Sequence, residues 1–223
     1  SAIRSIAPSI LAVGVNPLAL AVTKPPGDFG ADIVIGEGQP LGNAVNFGGP
    51  LIGIFACREE HIRKMPGRVI GLTRDARGHR AFCMTLQTRE QHIRRERAMS
   101  NICTNETLMA VASAAYVAVL GANGLRSVAL DNIRRAKRLA AGIDKVRGFQ
   151  APAFAGAHFN EFVVRSEVPY SKVARALLKA GLHGGLPLKG RFPELGEAAL
   201  FATTEVHTEE DYDRLVTVLE GMS

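Results

Sequence analysis

The sequence predicts an α/β protein whose first half builds a sheet, whose middle is helical and whose end is a smaller α+β unit. Three observations carry this. Two short stretches, Ile33-Val34-Ile35 and Leu51-Ile52-Gly53-Ile54-Phe55-Ala56, are apolar on both faces, as strands buried inside an α/β sheet are. Between residues 105 and 146, apolar side chains recur at helical spacing. After Phe149, strand-like and helix-like stretches alternate. The division that follows is a partial large α/β domain over residues 1–120. Over residues 121–223 come a connecting helix and a C-terminal α+β small domain.

In order, Ile10–Val15 reads as a short buried strand broken at Asn16-Pro17. Pro25-Pro26-Gly27-Asp28 marks a surface turn, and Asp32–Ile35 is the next strand. The glycine-rich stretch Gly36–Asn43 follows, closed by Phe47-Gly48-Gly49-Pro50. Glycines there let the backbone turn sharply or lie close to something. Two readings stay open: a ligand loop at the carboxyl end of a strand, or a tight connection that holds nothing. It is not a phosphate loop, because Gly36-x-Gly38 lacks the third glycine and no Gly-Lys-Ser/Thr follows. Glu59–Met65 reads as a short helix stopped by Pro66-Gly67. Val69–Arg74 and His79–Gln87 flank Asp75-Ala76-Arg77-Gly78, whose Asp and Gly suit a type I turn and hence a β-hairpin.

The segment Thr88–Thr104 is chemically dense. Read as a helix, it puts Thr88, Gln91 and Arg95 on one face and pairs Glu90 with Arg94. That is a solvated, salt-bridged helix on one reading. On the other, Ser100, Asn101 and Thr104 are capping residues ahead of a helix whose free N–H groups bind anions. Asn105–Leu120 is that helix, with Leu108, Val111, Ala112, Ala115 and Val119 on its packed face, ending at Gly121 and Asn123-Gly124. A second helix turns Leu125, Val128, Ala129, Ile133, Ala136, Leu139, Ala140, Ile143 and Val146 inward. Its opposite face carries Arg126, Arg134, Arg135, Lys137 and Arg138. Phe159–Arg165 then reads as a strand, Pro169–Ala180 as a helix and Ala198–Val206 as a strand. A Thr208–Asp211 capping box opens the last helix. Leu182-His183-Gly184-Gly185 is a turn within reach of a ligand.

Composition narrows the class. With 22% charged and 47% apolar residues in 223, wholesale disorder is excluded and a real core is affordable. Cys57, Cys83 and Cys103 show neither metal spacing nor a disulfide framework, so reduced core thiols are expected and no metal site. No apolar run approaches a membrane span and no signal-peptide pattern opens the chain, which leads to the expectation of a cytoplasmic protein with no membrane partner. The net charge is +6, with 20 Arg to 7 Lys clustered at Arg89–Arg97 and Arg134–Arg138. Aromatics are 6% and none interleaves with the arginines, so nucleic acid is not the expected partner. An acidic protein or an anionic cofactor accounts for the charge equally well.

Gly36-Glu37-Gly38-Gln39-Pro40-Leu41-Gly42 resembles the first subunit of the two-subunit glycine decarboxylases, the P-protein family of the glycine cleavage system. Met65-Pro66-Gly67-Arg68 and Gly71-Leu72-Thr73-Arg74-Asp75 follow in family order. The match becomes specific at Leu86-Gln87-Thr88-Arg89-Glu90-Gln91-His92-Ile93-Arg94-Arg95-Glu96 and Ser100-Asn101-Ile102-Cys103-Thr104. It thins after about Leu120 and returns at Gly184-Gly185.

The resemblance implies the large domain of an aminotransferase-like, pyridoxal-phosphate-dependent (fold type I) enzyme. Because only three or four strands precede Arg58, that domain is expected to be truncated at its N-terminus. The family releases carbon dioxide from glycine and passes the aminomethyl group to the lipoyl arm of H-protein. Such chemistry needs a lysine that holds the cofactor. In the catalytic second subunit it ends a His-x-Asn-x-His-Lys motif; here Gln39-Pro40 stands in that place, and proline has no amine. The resemblance therefore implies a subunit without catalytic residues, whose partner subunit carries pyridoxal phosphate. It also implies that Thr88, Gln91, Ser100 and Asn101 face the partner's cofactor site, with Arg94 or Arg95 supplying charge. The alternative is a non-catalytic interaction module whose basic patches bind an acidic protein or nucleic acid.

Overall fold

A parallel pair of strands starts the fold. In the computed structural model, which describes residues 10–87, 94–98 and 106–222, β1 (Ala12–Val15) runs beside β2 (Ile33–Glu37), with Ala12 opposite Ile33 and Val15 opposite Gly36. β3 (Gly53–Cys57) returns antiparallel to β2, giving the order β1-β2-β3. These strands lie within the first of two compact units, Ser1–Gly121 and Ala122–Ser223. Ile35 and Phe55, directly opposite each other, remain 46% and 42% exposed. One face of the sheet is thus open, which corrects the expectation of strands buried on both sides. An apolar run allows a strand to be buried, but a covering layer has to be present to bury it.

Glu59–Lys64 forms a 3-10 helix between the sheet and a separate ribbon of β4 (Arg68–Arg74) and β5 (Arg80–Gln87). The hairpin expected from Asp75 and Gly78 is present. Asp75 Oδ1 accepts the N–H groups of Arg77 at 2.8 Å and His79 at 2.9 Å, while Gly78 takes φ +82°, where a Cβ would be strained. Beyond the ribbon, Arg95 has φ +50° and only a 3-10 turn forms over Arg95–Arg97. The helical reading of Thr88–Thr104 can be compared with the structure only there; its other residues, apart from Arg94 and Ala98, lie outside the described residues.

α1 spans Thr107–Ile143 with one non-helical residue, Gly121, at φ 61° and ψ −173°. The sequence placed the break at Gly121 and Asn123-Gly124, but Asn123 and Gly124 stay helical. Before the kink, the packed side runs through Ser113 and Tyr116. Leu108, Val111 and Val119, expected inside, are 74%, 60% and 85% exposed. As a single element, α1 is long and apolar enough, by length and composition, to cross a membrane. This corrects the expectation that no apolar run approaches a membrane span.

The second unit holds most of the core. β6 (Phe149–Gln150), β7 (Glu161–Ser166), β8 (Leu186–Pro187) and β9 (Ala198–Ala202) form an antiparallel sheet of order β6-β7-β9-β8. Ala136, Leu139, Ala140 and Ile143 of α1 pack there with Val173 and Leu177 of α2 (Tyr170–Lys179). Tyr212, Leu215 and Leu219 of α3 (Glu209–Glu220) complete the cluster. The Thr208–Asp211 capping box forms as the sequence predicts. The basic face of α1 is solvated at Arg126, Arg134, Lys137 and Arg138; Arg135 pairs with Asp131 and the His207 carbonyl, and Arg138 with Glu209 at the surface. Of the thiols expected in the core, Cys83 is exposed and Cys57 partly so; Cys103 lies outside the described residues.

Candidate functional site

The glycine-rich loop leaves the carboxyl end of β2. Glu37 Oε1 ties its two ends together, accepting the N–H groups of Gln39 at 3.0 Å and Ile52 at 3.1 Å. The glycines are explained by the chain's own atoms. A Cβ on Gly36 would lie 2.7 Å from the Val15 carbonyl oxygen, and one on Gly38 2.7 Å from Ile52 Cγ2. On Gly42, at φ +82°, it would lie 2.6 Å from the Tyr116 ring of α1. Asn43 Nδ2 donates to Ser113 Oγ at 2.7 Å. Of the two readings of this loop, the structure favours a close-packed connection that seats the first half of α1. Only its far end, with Val45 70% exposed and Phe47 fully so, projects into solvent.

Beneath the loop, the start of β2 is braced by Asp32, which is 3% exposed. Its carboxylate accepts Leu11 N–H at 2.8 Å and pairs with Arg58 Nε at 3.2 Å. Asp32, Glu60 and His61 bring ligand-type atoms within 4.8 Å of one another, a grouping the sequence did not suggest. A cation there would meet the Arg58 guanidinium, so the cluster is better described as an ion-pair brace.

Thr88, Gln91, Ser100 and Asn101 all lie outside the described residues. Of the neighbours named with them, Arg94 and Arg95 are exposed.

Pyridoxal phosphate, implied by the resemblance, can be tested against the lysines. A lysine that held it would stand in an enclosed site at a strand end, where a depressed pKa makes the amine a nucleophile. All seven lysines, Lys24, Lys64, Lys137, Lys145, Lys172, Lys179 and Lys189, are exposed. Lys24 borders a small apolar cleft of about 300 Å³ with Val13, Leu20 and Phe29, and Lys189 is paired with Glu197. The described residues do not fit a covalently held cofactor.

The second unit has its own cleft, about 670 Å³, between the Gly181–Leu186 turn and the start of α3. Leu182, His183, Thr203 and His207 are among its lining residues. His207 Nδ1 accepts Thr204 N–H at 3.0 Å, so the neutral ring carries its proton on Nε2. The turn at Gly184-Gly185 thus does border a cavity. Gly185 is needed because a Cβ would lie 2.6 Å from the Leu200 carbonyl oxygen.

Comparison with known proteins is consistent with this geometry. A family model described as glycine cleavage system P-protein matches residues 3–219. A probable glycine dehydrogenase (decarboxylating) subunit 1 from Desulfitobacterium hafniense is 49% identical over 207 residues, covering 93% of this chain and 46% of the relative. Its counterpart in Thermococcus onnurineus is 49% identical over 220 residues, 96% of this chain and 48% of the relative. The chain therefore spans about half the length of the curated relatives it matches. A crystal structure of glycine decarboxylase (P-protein) in inhibitor-bound form superposes with a TM-score of 0.87 at 41% identity, over 99% of this chain and 50% of that one. A sphingosine-1-phosphate lyase from Burkholderia pseudomallei superposes at 0.64 with 16% identity, over 99% of this chain and 46% of that one; this shows the shared fold alone, the aminotransferase-like α/β class expected from the sequence. With the family model matching nearly end to end and relatives close to half identical, the chain belongs to the glycine cleavage system P-protein family.

Proposed function

We propose that this chain is part of the subunit that completes a glycine decarboxylase without carrying its cofactor. In this reading a second P-protein subunit holds pyridoxal phosphate on its own lysine. The pair releases carbon dioxide from glycine and hands the aminomethyl group to lipoylated H-protein, in the cytoplasm. The carrying observation is the set of lysines: all seven are on the surface, and Gln39-Pro40 follows β2 where the resemblance would put the cofactor lysine. The names of the relatives, each a subunit 1, supply the second subunit. When bound, pyridoxal phosphate acts as the electron sink for decarboxylation. This chain's share is to seat α1 on the Gly36–Asn43 loop and to present Thr88, Gln91, Ser100 and Asn101, with Arg94 or Arg95, toward the partner's pocket. The interaction-module alternative loses ground to the names of the relatives, each a subunit of a glycine dehydrogenase.

The test is reconstitution. The chain incubated alone with pyridoxal phosphate and borohydride should yield no labelled lysine peptide. Addition of the second subunit and H-protein should restore glycine-dependent carbon dioxide release. Labelling of Lys24 or any other lysine, or turnover by the chain alone, would refute the assignment.

A further inference from the structure

We draw no further inference here: the strongest candidate, the cleft of about 670 Å³ in the second unit that gathers His183, Thr203 and His207 between the Gly181–Leu186 turn and the start of α3, carries none because nothing in the structure shows what fills or covers it.

Discussion

Asp32 shows what a single buried side chain does here. Its carboxylate joins Leu11, just before β1, to Arg58, just after β3, so Asp32→Ala leaves a part-buried N–H without its acceptor. The expected cost is about 1–3 kcal/mol, read as a lower denaturant midpoint with unchanged slope. Tyr170 is the opposite case. Its hydroxyl is buried without a hydrogen-bond partner, and burial pushes its pKa up. Tyr170→Phe removes an unpaired polar group, so stability should hold or rise by up to about 1–3 kcal/mol; a clear loss would show that the hydroxyl has a partner. For the proposed site, Thr88→Ala or Ser100→Ala in the reconstituted enzyme should weaken cofactor retention or glycine turnover about tenfold or more, the effect of losing a charge-assisted bond. Normal activity and occupancy in both would return Arg94 and Arg95 to simple surface pairing.

At the scale of elements, caps and kinks decide. Gly121 lies in a backbone region essentially closed to other residues, so Gly121→Ala should destabilise the chain by roughly 1–3 kcal/mol, measurable by thermal unfolding. The α3 cap couples to pH. Asp211 accepts Thr208 N–H at 2.9 Å, and chiefly that bond, then the Thr208 hydroxyl, lowers its pKa. A carboxylate held below its ordinary pKa stabilises the fold above that ordinary value and loses this contribution as pH falls through the folded one. Asp211→Asn should therefore be less stable than wild type at neutral pH and converge with it in acid, followed by helical circular dichroism. Thr208→Ala should cost about 0.5–2 kcal/mol. These elements were legible because capping box and turn are local chemistry: Thr208 and Asp211 lie within one helical turn, and Asp75 and Gly78 within one β-turn. The packed face of α1 was not. Leu108, Val111 and Val119 have the helical spacing of a core stripe, yet Asn43 and Gly42 select the side bearing Ser113 and Tyr116.

At the scale of the whole molecule, burial is unequal. Among the described residues, Leu18 and Ala31 are the buried apolar side chains of the first unit, and the others lie between Ala129 and Leu219. Hydrogen exchange should therefore be slow in β7 and β9 and fast in β1–β3 and the ribbon. Uniform protection across both units would contradict this picture. The sequence by itself determined the α/β class, the hairpin, the capped last helix and the family, because these rest on local periodicity, turn chemistry and motifs a few residues apart. It also showed that no lysine stands in the loop directly after β2. Only the tertiary structure decided which apolar faces are covered. Ile35 and Phe55 read as core in sequence but stand open in the fold, because burial depends on which other surfaces meet a side chain, and hydrophobicity alone does not supply them.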